Sequence, residues 1–220
     1  MKFILMTFTF IFILNLGFGQ SNEIKIRYIG NCGLYISDGV NHIYTDFPYK
    51  SGAHNYIEYD NTEIDNLKEN SFYIFTHKHS DHYSKKLLKR ALKTKNGKAF
   101  GPWNISELEK LGDSIPGFEI TIYKTKHLFS LRHYSYLITW HGKRIFLSGD
   151  TESADTILDI KEMDWAFVPA WLVAEIVDSG RDFNTKKIGV YHIGPKDNIE
   201  ISGPRVLMLK TQGEVISIPY

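Results

Sequence analysis

Residues 77–82 read His77-Lys78-His79-Ser80-Asp81-His82, and they constrain the chain more than any other stretch. They follow Phe72-Tyr73-Ile74-Phe75-Thr76, a nearly continuous apolar run of strand length, as expected for a strand buried on both faces. They precede Ser84-Lys85-Lys86-Leu87-Leu88-Lys89-Arg90-Ala91-Leu92, which has helical spacing and can be capped by Ser84 or Asp81. Four metal-ligating side chains therefore fall within six residues at a strand-to-helix turn. A loop at a strand end can aim several imidazoles at one point. Histidine is a common zinc ligand, and aspartate adds a hard oxygen and negative charge. Three of the nine histidines sit in these six positions, which argues against a chance polar loop.

The rest of the chain reads as strands mixed with helices. Ile24–Ile29 alternates apolar and polar residues, the period of a half-buried strand. A turn at Gly30–Gly33, a strand at Leu34–Ile36, a hairpin signal at Asp38-Gly39 and a strand at His42–Thr45 follow. A second short helix is expected from Asn104 to Gly112. Further strands are expected at Glu119–Tyr123, Tyr134–Trp140, Arg144–Leu147, Trp165–Val168, Ile188–Tyr191, Val206–Leu209 and Val215–Ile218. No repeat or linker divides the chain, so one domain with helices layered on sheet is expected.

The N-terminus stands apart. Lys2, the apolar run Phe3–Phe18 and the small residues of Gly17-Phe18-Gly19 have the form of a secretory signal peptide. We expect residues 1–20 to be that signal, residues 21–220 to form the working domain, and the product to be secreted or periplasmic. The run is shorter than the ~20 apolar residues of a membrane anchor, so no stable anchor is expected after cleavage. A net charge of +1 gives no global pull toward nucleic acid. The partner expected is a small-molecule substrate. The single cysteine, Cys32, has no second thiol to pair with and reads as a buried structural residue.

Residues 77–82 match, position for position, the His-x-His-x-Asp-His motif of the metallo-β-lactamase superfamily, and the chain resembles that family downstream in the right order. Ser148-Gly149-Asp150-Thr151 resembles its Gly-Asp-Thr turn, and His192, after a strand, resembles its final histidine ligand. Asp46 resembles its buried aspartate near the site. The resemblance implies an α/β fold, the four-layer αβ/βα metallo-β-lactamase sandwich. It implies one metal held by His77, His79 and a later histidine, and a second held by Asp81, His82 and His192, with Asp150 bridging. The later histidine is expected to be His127, which falls in a loop beyond the strand at Glu119–Tyr123; His133 is its rival.

The activity implied is hydrolysis of an ester-like bond (lactone, thioester or phosphodiester) by a dinuclear zinc site with a bridging hydroxide. Asp81 both binds metal and orients the nucleophile. β-Lactams are disfavoured, because the thiolate-bearing branch of the family has cysteine where Asp150 stands. One alternative is a mononuclear iron sulfur dioxygenase of the same fold. Another is a member that binds metal without turnover. Trp171 is a candidate for the pocket wall or for the core, Lys85, Lys86, Lys89 and Arg90 read as a solvated helix face, and His42, His54 and His141 read as structural or surface residues.

Overall fold

A computed structural model of the chain describes residues 22–220. The expected signal peptide, residues 1–20, lies outside the described residues. The described strands are β1 (Glu23–Gly30), β2 (Gly33–Ser37), β3 (His42–Thr45), β4 (Phe72–Ile74), β5 (Lys98–Phe100), β6 (Phe118–His127), β7 (Ser130–Trp140), β8 (Lys143–Leu147), β9 (Met163–Pro169), β10 (Thr185–Tyr191), β11 (Val206–Met208) and β12 (Val215–Pro219). The α-helices are α1 (Thr62–Asp65), α2 (Lys85–Lys95), α3 (Ile105–Leu108), α4 (Asp155–Asp159) and α5 (Ala170–Asp178). None of the described helices is long and apolar enough to cross a membrane.

The strands form two six-stranded mixed sheets, ordered β12-β1-β2-β3-β4-β5 and β11-β10-β9-β8-β7-β6. Period-two patterning decides which face meets which. Ile24, Ile26 and Tyr28 of β1 are enclosed, while Lys25 between them is exposed. They pack against Tyr136, Ile138 and Trp140 of β7 and Ile145 and Leu147 of β8, forming the core between the sheets. The alternate residues Leu137 and Phe146 face outward onto Ile157 of α4 and Leu172, Val173 and Ile176 of α5. On the other flank, Tyr44, Tyr73 and Phe75 pack on Ile64 of α1 and Leu88 and Ala91 of α2. Helix, sheet, sheet and helix thus make four layers, the α/β sandwich that the sequence implied.

Two elements differ from expectation. The helix expected from Asn104 to Gly112 is split into α3 and a single 3₁₀ turn at Leu111–Asp113. The strands at Glu119–Tyr123 and Tyr134–Trp140 extend into one long hairpin, β6–β7, so His127 ends a strand and His133 lies inside one, opposite Thr125. Lys124, Lys126 and Arg132 gave that stretch the look of a polar loop. They are the outward half of an alternation that keeps Thr125 and His133 inside. Strand β5 and helices α1, α4 and α5 were not expected from sequence.

Candidate metal centre

The predicted donors arrive on strand ends that open along one edge between the sheets. Beyond β3 comes Asp46, beyond β4 come His77 to His82, beyond β8 comes Asp150, and beyond β10 comes His192; His127 is the last residue of β6. Strands β3 and β4 run parallel, as do β8, β9 and β10, so their carboxyl ends share this edge. Crevices outside the carboxyl ends of such strands are where α/β sheets bind ligands.

Turn chemistry makes the abrupt exits. Asn31, Asp46 and His192 have φ of 50°, 45° and 57°, a left-handed backbone that few non-glycine residues adopt. At Gly149 (φ 58°) an added Cβ would lie 2.7 Å from His133 Nε2 and 2.8 Å from Thr76 Cβ. Glycine is therefore required there to bring Asp150 inward.

The donors form two groups. Ligating atoms of His77, His79 and His127 lie within 4.8 Å of one another, as do those of Cys32, His82, Asp150 and His192. Between them stands one oxygen: Oδ2 of Asp150 is 3.0 Å from His82 Nε2, 3.2 Å from His192 Nε2, 3.9 Å from His127 Nε2 and 4.0 Å from His77 Nε2. Asp81 Oδ2 approaches the second group, 3.3 Å from His192 Nε2 and 3.6 Å from His82 Nε2. All seven predicted ligands are brought together.

The buried polar atoms fit a bound divalent cation. His77 Nδ1 meets Thr76 Oγ1 at 3.1 Å, but its buried Nε2 has no hydrogen-bond partner. Neither ring nitrogen of buried His192 makes a hydrogen bond. Leaving a buried polar atom bare costs about 1–3 kcal/mol, so atoms of this kind aimed at one carboxylate are suited to a ligand. Imidazole and carboxylate donors suit zinc.

Electrostatics agree. Burial opposes the charge on Asp150, yet His82 and His192 hold its carboxyl well below the ordinary range. Burial likewise opposes protonation of His82 and His192, but Asp150 carries both imidazoles upward, His192 to about 9, with Asp46 adding to the effect at His82. This negative field would also attract a metal ion, which binds imidazole in its neutral form and so releases these protons. Asp46 lies outside the donor ring. Its Oδ2 accepts from His82 Nδ1 at 2.9 Å and from the Thr76 hydroxyl at 2.7 Å, and its Oδ1 accepts from the Thr76 backbone N–H. It thereby fixes His82 with Nε2 facing Asp150.

His133 has a different environment. Its Nε2 accepts the Asp150 backbone N–H at 3.0 Å, and its Nδ1 lies 2.7 Å from Thr125 Oγ1. Burial first, with a smaller contribution from His127, pushes its pKa down to about 3 against the pull of Asp150. The neutral ring must therefore carry its proton on Nδ1 and donate to Thr125. Both nitrogens are already engaged with protein.

Four residues at the centre were not read as site residues from sequence. Asn31 is buried; its side-chain N–H₂ donates to the Asp81 carbonyl and its own carbonyl accepts the His192 N–H. Cys32 Sγ is 3.5 Å from Asp150 Oδ1. His54, taken as structural or surface, lines the cleft 3.9 Å from Asp81 Oδ1, and Tyr56 sets its ring edge-on to His192 at 4.2 Å. Trp171 also lines the cleft; its ring lies 5.2 Å from His192 and its indole N–H donates to the Thr151 carbonyl. The cleft has a volume of about 460 Å³, with Leu128 and Phe129 of the β6–β7 tip on its outer wall. A larger hollow of about 700 Å³ lies at the opposite, amino ends of β8, β9 and β10 and contains none of these ligands. His42 and His141 pair with Tyr35 and Asp38, away from the centre.

No family model and no curated protein matches the chain. Solved structures do. A metallo-hydrolase from Ignicoccus hospitalis, Igni18, is similar over 90% of this chain and 99% of its own, with a TM-score of 0.66 at 17% identity. A protein from Parabacteroides distasonis described as a metal-dependent hydrolase is similar over 84% of this chain and 92% of its own, with a TM-score of 0.61 at 22% identity. The metallo-β-lactamase fold protein YhfI from Bacillus subtilis is similar over 89% of this chain and 99% of its own, with a TM-score of 0.65 at 15% identity. That likeness, joined to two six-stranded sheets with helices on their outer faces, makes the fold of this chain that of the metallo-β-lactamases.

Proposed function

We propose that this protein is a metal-dependent hydrolase that cleaves an ester-like bond in a small molecule, using two zinc ions. His77, His79 and His127 would hold one ion, Asp81, His82 and His192 the other, and Asp150 would bridge them. The observation that carries this reading is the single Asp150 oxygen facing four imidazole nitrogens within 4.0 Å. When bound, such an ion pair lowers the pKa of a shared water and polarises a substrate oxygen.

The chain's own residues define what surrounds that chemistry. Burial opposes ionisation of Asp81, but the close approach of the His192 imidazole at 3.3 Å and the charge of His82 hold its pKa below the ordinary value. Asp81 is thus a carboxylate at neutral pH and can only accept, which suits it to orient a water and take up its proton. Tyr56 and Trp171 brace His192, and Leu128, Phe129 and Trp171 offer an apolar wall to a substituent on the substrate.

Metal analysis of the purified mature protein, with a panel of lactones, thioesters, phosphodiesters and β-lactams, tests this reading. We expect about two zinc ions per chain and turnover highest in one of the first three classes. Penicillin or carbapenem hydrolysis with kcat/KM of about 10⁴ M⁻¹s⁻¹ or more would contradict the substrate class. One iron per chain with oxygen uptake on a persulfide would replace the hydrolase by the dioxygenase.

We further propose that the protein is exported and works outside the cytoplasm. The support is the Phe3–Phe18 apolar run behind Lys2. The native protein should begin near Gln20 or Ser21 by mass spectrometry. A native chain that still carries residues 1–19 would sink this proposal.

A further inference from the structure

Cys32 sits just past the end of β1, enclosed at 2% exposure. Part of its surface meets the core between the sheets, but its sulfur also reaches the donor cluster. Sγ is 3.5 Å from Asp150 Oδ1. With one ligating atom each from His82, Asp150 and His192 it forms a set in which all atoms lie within 4.8 Å of one another, every member buried. The second observation is His192, 3% exposed, whose Nε2 is directed at this group without a hydrogen-bond partner.

We propose that Cys32 is a thiolate donor to the ion held by His82, Asp150 and His192. This rests on the metal-centre reading above. Ligation there would require Cys32 to give up its thiol proton to solvent, with no redox change. Asp81 remains an oxygen donor beside the same two imidazoles. A sulfur ligand makes this position softer than an all-nitrogen-and-oxygen site and favours zinc over magnesium or calcium.

The test is cobalt(II) substitution read by absorption spectroscopy, which needs no substrate. The chain has one cysteine, so any sulfur-to-cobalt charge-transfer band in the near ultraviolet reports on Cys32. We expect that band in the wild type. We expect Cys32→Ser and Cys32→Ala to lose it while keeping the visible d–d bands of bound cobalt, with circular dichroism confirming that they fold. Cobalt binding with d–d bands but no near-ultraviolet band in the wild type would overturn the thiolate and leave Cys32 as an S–H donor to Asp150. So would an unchanged band in Cys32→Ala. A folded wild type that takes up no cobalt at all would overturn the metal centre itself, and the thiolate with it.

Discussion

Replacing Asp150 with alanine is expected to lower kcat/KM on the hydrolysed substrate by about 10³-fold or more, roughly 4 kcal/mol of transition-state stabilisation. Bound metal should fall from about two ions per chain to one or fewer. The size of the effect follows from position. Asp150 Oδ2 is shared by His82, His192, His127 and His77, two from each donor group, at 3.0 to 4.0 Å. Removing it leaves imidazoles facing one another with no central negative charge. His82 and His192, whose pKa values Asp150 raises against burial, would then lose that support. Asp150→Asn separates charge from shape, because the amide fills the space without neutralising a cation. It should lose metal much as alanine does. Two ions retained in both variants would show that Asp150 is not the bridge.

The second large effect distinguishes two histidines that sequence could not separate with certainty. His127→Ala is expected to lose about one ion per chain, because His127 Nε2 lies 3.0 Å from His79 Nδ1 and faces Asp150. His133→Ala is expected to keep both ions and to lose about 10–100-fold in activity, the usual cost of removing a group that orients a ligand. His133 is committed on both sides, to the Asp150 N–H and to Thr125. Its loss leaves the buried Asp150 N–H unpaired, at about 1–3 kcal/mol, so His133→Ala should also melt at a lower temperature. Metal content measured on both variants decides the matter. Retention in His127→Ala with loss in His133→Ala would reverse the assignment.

Sequence revealed the parts of the centre whose spacing is local. His77, His79, Asp81 and His82 share one turn, so their chemistry can be read without knowing the fold. Asp150 and His192 could be picked out because they stand, in the right order and just beyond strands, where the resembled family has its Gly-Asp-Thr turn and its final histidine. The two-layer core was likewise visible in the alternation of Ile24, Ile26 and Tyr28. Asn31, Cys32, His54 and Tyr56 could not be seen in this way. Their contacts with Asp81, Asp150 and His192 depend on bringing the turn after β1 and the segment after β3 against the loop after β4 and against the far sheet, across separations of 27 to 161 residues. The β6–β7 hairpin was underestimated for another reason. Its outer half projects with charged residues on one side, and a run of Lys124, Lys126 and Arg132 resembles a loop unless the partner strand is known.

The left-handed backbone at Asp46 and His192 has a consequence for how this lineage can change. At these positions both the chemistry and the backbone restrict the choice of side chain, since aspartate, asparagine and histidine are among the few non-glycine residues that tolerate such a φ. A β-branched replacement there would harm folding as well as ligation, at about 1–3 kcal/mol for the strain alone. His79 and His127 are only partly buried and are not among the described residues with positive φ. They can be exchanged with little penalty to the fold. A descendant released from selection for catalysis would therefore vary freely at positions 79 and 127, while positions 46 and 192 would stay confined to glycine, asparagine, aspartate and histidine.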